Sequence, residues 1–272
     1  MRALNRSNLL FEGANGRQSL LDIEIPSKWN GKVIIFSHGF MGFKDWGAWH
    51  LVQSFFVERG FGFVKYNCSH NGGTTENPID FPDPESFSCN TYTKELSDNE
   101  RVINLVKAIV GDEAKIYLIG HSRGGGIVLL QSQRPDIHGI AAWAPISNIE
   151  RRFSNIEEWK RDGVRLQKNG RTKQELPMKF EIYEDFIANK ERVDIEHYCT
   201  SSTTPTIVIH GKDDTSVLPA ESKQIARWLN IEPIIIEGAQ HTFNSSHPWD
   251  SNQLPPALRK ACEVTLNFFQ QH

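Results

Sequence analysis

Several features that would point to particular partners are missing from the sequence. Lys and Arg number 30 against 33 Asp and Glu, so the net charge of −3 lacks the positive excess that nucleic acid or an anionic membrane surface selects. No apolar run approaches the roughly 20 residues that cross a bilayer. The segment 1–17 contains no apolar stretch of signal-peptide length. We therefore expect no nucleic-acid partner, no membrane partner and no export signal.

Cysteine is also scarce. The chain has four, Cys68, Cys89, Cys199 and Cys262, and they form neither a C-x-x-C pair nor a zinc-like spacing with histidine. Buried, reduced thiols in a reducing compartment fit this pattern. We therefore expect no metal site and a cytoplasmic protein.

Short apolar runs alternate with amphipathic stretches along most of the chain. An N-terminal β-hairpin is predicted, with Asn15 and Gly16 at its tip. Six predicted strands follow, separated by helices, except before the fifth: KVIIFSHG, FGFVKYNC, KIYLIG, GIAAWAP, TPTIVIHG and EPIIIEG. Nearly continuous apolar strands of this kind indicate an α/β fold, with a mostly parallel sheet and helices on both faces.

The alternation is interrupted over residues 148–203. There, 22 of 56 residues are charged, about 39%, against 23% for the whole chain. Two helices, SNIEEWKRDG and YEDFIANKERVD, are predicted on either side of an Asn169-Gly170 turn. The alternation after that turn involves Met178, Phe180 and Ile182. We predict a cap insertion at 148–203 between core segments 1–147 and 204–272, with a peripheral stabilising excursion as the alternative.

A serine lies where a predicted strand meets a predicted helix, within Gly120-His121-Ser122-Arg123-Gly124. Small residues two positions before and after Ser122 allow a tight turn that exposes its hydroxyl at the carboxyl edge of the sheet. The following helix adds free N–H groups and a positive dipole end, which suit a developing oxyanion. A serine-capped helix with packing glycines is the other interpretation.

A nucleophilic serine needs a base and an orienting carboxylate, which should follow later in the chain. Asp213 and Asp214 come directly after the strand TPTIVIHG, and both fit the acid at this point. An Asx-turn would explain the pair without catalysis. His241 lies just beyond the strand EPIIIEG and is the candidate base, with His247 as the weaker alternative.

The loop after the first apolar strand, His38-Gly39-Phe40-Met41-Gly42, offers a second oxyanion donor. Glycine before Phe40 frees the backbone to direct the Phe40 N–H toward the serine, and Arg123 supplies the other N–H. A simple glycine-rich turn is the alternative. His38 and His121 are expected to shape their loops by packing and hydrogen bonds.

These motifs together resemble the α/β-hydrolase superfamily, and within it the dienelactone-hydrolase-like and cinnamoyl (feruloyl) esterase-like branch. The matching motifs, in chain order, are HGFMG, GHSRGG, HGKDDTSVLP and GAQHTF. The resemblance implies Ser122 as nucleophile, Asp214 as acid and His241 as base, with Phe40 and Arg123 N–H groups forming the oxyanion hole. It also implies that the insertion is a cap shaping the acyl pocket.

The sequence departs from this pattern at two points. Arg123 occupies the position directly after the serine, where glutamine is frequent in this branch, and this departure bears on the substrate preference. The V-L-P after the acid is one residue longer than the commoner V-P spacing, which leaves room for Asp213.

We therefore expect a serine hydrolase that cleaves a small-molecule ester of a small acyl or aromatic acid, with no metal or organic cofactor. Four tryptophans near predicted loops would suit such a substrate, although core packing explains them equally: Trp46, Trp49, Trp143 and Trp249. A carboxylated substrate could contact Arg123 or lysines of the insertion, against the simpler interpretation of a solvated charged surface. Peptidase, amidase, thioesterase and dienelactone hydrolase activities, or a non-catalytic binding protein, are the alternatives.

Overall fold

One twisted sheet of eight strands organises the molecule in a computed structural model that describes residues 3–272. Its strands in chain order are β1 (Leu4–Glu12), β2 (Gln18–Ile25), β3 (Lys32–Ser37), β4 (Gly62–Tyr66), β5 (Lys115–His121), β6 (Ile137–Trp143), β9 (Thr206–Gly211) and β10 (Ile234–Ile236). Two further strands, β7 (Val164–Lys168) and β8 (Glu175–Lys179), form a separate antiparallel hairpin.

The spatial order of the main sheet is β1-β2-β4-β3-β5-β6-β9-β10. Strand β2 pairs antiparallel with β1 and β4, and the pairs from β4 to β10 are all parallel. The predicted N-terminal hairpin is confirmed, and Asn15 and Gly16 at its tip both have positive φ, 54° and 75°. The predicted mostly parallel sheet is confirmed as well.

Nine α-helices accompany the strands within residues 3–272. They are α1 (Trp49–Val57), α2 (Pro84–Ser88), α3 (Tyr92–Val110), α4 (Arg123–Leu129), α5 (Ile156–Asp162), α6 (Glu181–Ala188), α7 (Ile195–Thr200), α8 (Pro219–Leu229) and α9 (Pro256–Gln271). None of these helices combines the length and the apolar character needed to cross a membrane.

The core divides into two layers because successive strand residues point to opposite faces of the sheet. On β3, Val33 and Ile35 pack on one face, in a cluster shared with α3, α4 and α8. The alternate residues Ile34 and Phe36 pack on the other, against α1 and α9. Each apolar side chain buried in this way contributes about 1.5–3 kcal/mol to the fold. Helices therefore cover both faces, as predicted.

Residues 148–203 lie between β6 and β9 and contain α5, the β7–β8 hairpin, α6 and α7. Their apolar side chains form a third cluster with a loop of the core, made of Phe81, Phe87, Trp159, Leu176, Met178 and Ile182. Polar contacts also tie the segment to the core, including Thr93 Oγ1 donating to Asp185 Oδ2 at 2.8 Å and an Arg171–Asp80 ion pair. The segment is thus packed onto the rest of the molecule.

The structure differs from the sequence predictions inside this segment. The predicted alternation stops at Lys179, because Phe180 is already helical and Ile182 lies in α6. Helix α7, six residues long, was not predicted. In the loop between β4 and α2, Phe81 is buried in the third cluster. Cys89 is half-buried rather than buried.

Candidate active site

Ser122 occupies the sharp turn between β5 and α4. Its backbone has φ 57° and ψ −118°, a left-handed conformation that costs a non-glycine residue on the order of 1–3 kcal/mol. Hydrogen bonds hold the turn from both sides: Ser122 N donates to Trp143 O at 2.8 Å, and Ser122 O accepts from Gly126 N at 3.2 Å. The surrounding structure therefore fixes a strained residue at the carboxyl edge of the sheet, as the motif predicts.

Two glycines make this turn possible because neighbouring backbone atoms occupy the space of a side chain. A Cβ on Gly120 would lie 2.2 Å from Gly124 O, and a Cβ on Gly124 would lie 2.4 Å from the carbonyl oxygens of Ser37 and His38. Both distances are far below van der Waals contact. The glycines thus allow the strand, the helix and the loop after β3 to meet around the serine.

Asp214 and His241 are joined by a direct hydrogen bond. His241 Nδ1 donates to Asp214 Oδ2 at 2.7 Å, and Asp214 is buried while His241 is 20% exposed at its side chain. Asp213, the alternative acid, is exposed and makes no hydrogen bond through its carboxylate to any residue of 3–272. The geometry therefore favours Asp214 over Asp213 as the partner of the histidine.

The carboxylate of Asp214 is held on both oxygens. Oδ1 accepts the N–H groups of Ser216 and Val217 at 2.8 and 3.0 Å, and Oδ2 accepts a second imidazole, His210 Nε2, at 3.0 Å. Burial alone would raise the pKa of Asp214, but the hydrogen bonds from His210 and His241 outweigh it and hold this pKa well below its usual range. Asp214 is therefore a fixed, ionised acceptor.

His210 is a residue that the sequence interpretation missed. It is the second-last residue of β9 and is fully buried. It also donates Nε2–H to Val217 O at 2.8 Å, while its Nδ1 lies 2.5 Å from Ser222 Oγ on α8. Because the Val217 carbonyl only accepts, Nε2 carries the proton. The available signal was the histidine of HGKDD, four residues before the acid.

His121 supports the loop that carries His241. Its Nε2 donates to His241 O at 2.8 Å, and the two rings lie 4.8 Å apart between centroids. Burial, and then the neighbouring His241, lower the pKa of His121 to about 3. His121 is therefore a neutral donor, which agrees with its expected role in shaping the loop.

Phe40 and Arg123 present free backbone N–H groups beside Ser122. Neither N–H donates a hydrogen bond to another residue of 3–272. The Phe40 loop comes close to the serine, since a Cβ on Gly39 would lie 3.0 Å from Ser122 Cβ. His38 shapes this loop, donating Nδ1–H to Gly39 O at 2.8 Å and accepting Cys68 N–H at Nε2 at 3.1 Å.

The side chain of Arg123 turns into the protein. Its Nη1 lies 3.0 Å from Glu95 Oε1, and both side chains are less than 10% exposed. The guanidinium stacks between the rings of Phe40 and Tyr92, at 4.1 and 4.3 Å from their centroids. Through these contacts the paired side chain of Arg123 holds α4 against the loop that carries Phe40.

Ser122 and His241 line the same two cavities, although no hydrogen bond joins their side chains in this structure. Such contacts often tighten only in the substrate complex. One cavity, of about 200 Å³, has Met41, Trp46 and Trp49 on its wall. The other, of about 360 Å³, is lined partly by Arg152, Arg165, Gln167 and Met178 of segment 148–203.

Only part of the predicted aromatic set reaches these cavities. Trp143 is fully buried in the core and donates Nε1–H to Thr265 Oγ1 at 3.0 Å, and Trp249 packs at the edge of a core cluster. His247, the alternative base, accepts Gly47 N–H at 2.9 Å through Nδ1 and lies outside both cavities. His241 is therefore the histidine that this geometry offers to Ser122.

The arrangement has the parts needed for nucleophilic catalysis at a carbonyl: a presented hydroxyl, a histidine oriented by a buried carboxylate, and two free N–H donors. The model of one family, described as the prolyl oligopeptidase family, matches residues 49–247. A comparison with curated protein sequences finds no match.

Solved structures share the fold over nearly the whole chain. Est1E from Butyrivibrio proteoclasticus, with ferulic acid bound, has a TM-score of 0.72 at 19% identity and covers 96% of this chain and 99% of its own. A putative hydrolase from Agrobacterium vitis S4 has a TM-score of 0.73 at 14% identity, covering 98% and 99%. A puromycin-hydrolyzing peptidase from Mycobacterium tuberculosis has a TM-score of 0.66 at 18% identity, covering 99% and 39%.

Proposed function

The chain belongs to the prolyl oligopeptidase family of α/β-hydrolases, and from that premise we propose that it cleaves carboxylic esters through an acyl-enzyme formed on Ser122. The family membership makes the protein a serine hydrolase. The observation that carries the proposal is the Asp214–His241 hydrogen bond, at 2.7 Å, on the wall of cavities that Ser122 also lines.

In the first half of the reaction, Ser122 Oγ attacks the ester carbonyl carbon while His241 Nε2 accepts the hydroxyl proton. The carbonyl oxygen gains the negative charge and accepts the N–H groups of Phe40 and Arg123. Asp214 stabilises the imidazolium and keeps its Nε2 directed at the reacting atoms. The C–O bond to the alcohol then breaks, and His241 returns the proton to that oxygen.

In the second half, a water molecule replaces the alcohol. His241 removes its proton as it attacks the acyl carbonyl, the same two N–H groups hold the oxyanion, and the proton passes to Ser122 Oγ as the acid leaves. In each half of the reaction His241 returns the proton that it accepts, and one bond to the carbonyl carbon breaks for each one that forms. No step needs a metal or an organic cofactor.

We assign segment 148–203 the role of a cap over the acyl pocket. Four of its residues, Arg152, Arg165, Gln167 and Met178, belong to the wall of the larger cavity beside Ser122. The esterase Est1E, whose structure contains ferulic acid, supports a small or aromatic acyl group on this scaffold. Met41, Trp46 and Trp49 give the smaller cavity the apolar wall that such a group favours.

A fluorophosphonate probe and short p-nitrophenyl esters test the proposal. Wild type should be labelled and should release p-nitrophenol, and Ser122→Ala should lose labelling and at least 10³-fold of kcat, as expected when a nucleophile is removed. Ser216→Ala at the rim of the larger cavity is the matched control and should keep the labelling. Labelling that persists in Ser122→Ala would overturn the assignment of the nucleophile.

A peptidase activity is the second candidate because peptidases share the fold, among them an acylaminoacyl peptidase from Pyrococcus horikoshii with a TM-score of 0.65 at 16% identity. Aminoacyl naphthylamides turned over with higher kcat/KM than esters would favour it. A folded wild type that neither reacts with the probe nor hydrolyses either panel would instead indicate a binding protein.

A further inference from the structure

Within the described chain, the wall of the larger cavity beside Ser122 contains arginines but no carboxylate. Three arginines line it, Arg123, Arg152 and Arg165, and no Asp or Glu of residues 3–272 belongs to its wall. The smaller cavity differs, because its one arginine, Arg171, is paired with Asp80. The two sides of the serine thus offer different chemistry.

Two of the three arginines are neutralised from outside the cavity. Arg123 pairs with Glu95 at 3.0 Å, and Arg152 Nη2 pairs with Glu221. The Nε of Arg152 has no hydrogen-bond partner within residues 3–272, but it is fully enclosed and does not reach the cavity. The charge of Arg165 is therefore the one that remains available to a ligand.

Arg165 supplies an uncompensated charge. Its guanidinium lies 4.0 Å from the Trp159 ring centroid, and its one hydrogen bond, to Ser154 O, is long at 3.4 Å. In the part of the chain that the structure describes, no carboxylate comes within 4.0 Å of it. Arg165 also lines a second cavity, whose wall includes Glu158 and Asp162, but Arg161 lies within 4.0 Å of both of these carboxylates.

The strand β7 explains why Arg165 faces the serine. Successive side chains of a strand alternate between faces, and Val164, Leu166 and Lys168 are exposed while Arg165 and Gln167 are half-buried in the cavity wall. Burial, opposed by Tyr92 and reinforced by Arg123, lowers the pKa of Arg165. A partly desolvated guanidinium that has no carboxylate partner gains a charge-assisted hydrogen bond when a ligand brings a carboxylate to it.

We propose that this cavity binds a carboxylate of the substrate, held by Arg165 with Gln167 as a neighbouring donor. The inference rests on the proposed ester hydrolysis and names its substrate class: an ester that carries a second, anionic carboxylate. That carboxylate belongs either to the acyl chain or to the alcohol, and in both cases Arg165 selects it over a neutral group of equal size.

Paired esters distinguish these two sources. The acyl pair is mono-4-nitrophenyl glutarate and its methyl ester, and the alcohol pair is 3-carboxy-4-nitrophenyl acetate and 4-nitrophenyl acetate. In wild type, kcat/KM for the anionic member should exceed that for the neutral member at least tenfold in one pair. Arg165→Gln should lower this ratio about tenfold, the loss expected for one charge-assisted contact of about 1.4 kcal/mol.

Two further variants control for packing and for charge in general. Arg165→Lys keeps the charge and should keep most of the ratio, whereas Arg151→Gln removes an exposed arginine of the same segment, one without a carboxylate partner within residues 3–272, and should leave the ratio at its wild-type value. Equal losses for anionic and neutral esters in Arg165→Gln, or a wild type without preference in either pair, would overturn the inference.

A failure of the proposed ester hydrolysis can be distinguished from a failure of the carboxylate site. If wild type turns over neither member of either pair, the proposed function fails, and calorimetric titration with glutarate then decides the carboxylate site. Binding that weakens at least tenfold in Arg165→Gln but not in Arg151→Gln supports the site. A wild type that does not bind glutarate at all contradicts it.

Discussion

The acid of the proposed catalytic machinery is stabilised by two imidazoles rather than one. Asp214 Oδ2 accepts hydrogen bonds from His241 at 2.7 Å and His210 at 3.0 Å. The second imidazole is itself fixed by Val217 O and Ser222 Oγ, so it is part of a rigid scaffold below the site. His210 lines neither cavity beside Ser122, which makes it a positioning residue for Asp214.

We expect His210→Ala to lower kcat at least tenfold with little change in KM, because Asp214 loses a donor that holds its orientation. His210→Gln places an amide donor at a similar reach and should recover part of kcat. Steady-state kinetics on a p-nitrophenyl ester, with thermal melting in parallel, measures both effects.

Ser222→Ala provides the matched comparison, since it removes the contact to His210 Nδ1 at 2.5 Å and leaves Nε2 in place. Its kcat should lie between those of wild type and His210→Ala. A purely structural role for His210 would instead lower the melting temperature of all three variants without a selective loss of kcat.

At the level of single residues, the sequence predicted which residue types form the candidate site better than it predicted their interaction partners. Ser122, Asp214 and His241 could be selected because each follows a strand in the order that the chemistry needs. The ion-pair partner of Arg123 could not be predicted, since Glu95 lies 28 positions earlier on α3 and the pairing depends on how α3 packs beside the elbow. The orientation of Arg165 likewise depends on the register of β7, which a charged segment leaves undetermined.

At the scale of secondary-structure elements, the elbow and the loop after β3 approach each other very closely. Gly124 approaches the carbonyl oxygens of Ser37 and His38 so closely that no side chain fits. The same loop carries Phe40, whose N–H is a proposed oxyanion donor. Displacing helix α4 from this loop would therefore separate the two donors.

Gly124→Ala should lower kcat/KM about 10²-fold or more, the loss typical of one misplaced oxyanion donor, and should lower the melting temperature as well. Its Cβ would lie 2.4 Å from two backbone oxygens that cannot rotate away. Ester kinetics and thermal melting of the purified variant measure the two effects.

Gly170→Ala in the β7–β8 turn is the matched control. No atom lies within 4 Å of a Cβ at that position, and its φ is not positive. This variant should behave as wild type. Wild-type kcat/KM and melting temperature in Gly124→Ala would show that the close approach is not required.

Elements with strong periodicity were predictable, and those fixed by tertiary contacts were not. The helix predicted over PAESKQIARWL is α8, Pro219–Leu229, because a proline at its first turn and an apolar stripe define it locally. The apolar residues Phe180 and Ile182 continue the strand pattern of β8 but lie in a helical turn that packs on Trp159 and the third cluster. Local pattern and tertiary packing conflict there, and packing decides.

At the scale of the whole molecule, the site depends on loops from several strands meeting at one edge of the sheet. The loops after β3, β5, β9 and β10 contribute Phe40, Ser122, Asp214 and His241, as expected at the carboxyl ends of parallel strands. The fold also buries several titratable groups. The stability of the fold should therefore depend on pH.

Burial displaces the pKa values of several of these groups, among them His121, His70 and Asp98. Burial lowers the pKa of His121 to about 3 and that of His70 to about 4, and it raises the pKa of Asp98 to about 6. Each histidine is neutral when folded and charged when unfolded below pH 6.5, so its contribution to stability is lost as the pH falls from 6.5. The contribution of Asp98 has the opposite sign, being complete below pH 3.8 and lost as the pH rises through 6.

Between about pH 6 and pH 4, the buried histidines therefore make the free energy of unfolding fall as the pH decreases, and Asp98 opposes them. His70→Gln removes one histidine and should reduce that slope by about 1.4 kcal/mol per pH unit relative to wild type, whereas His50→Gln, which changes an exposed residue, should leave it near the wild-type value. Urea unfolding at half-unit steps of pH measures the slopes, and equal slopes in wild type and His70→Gln would contradict the assignment, because the buried imidazole of His70 would then not be the group that takes up a proton on unfolding.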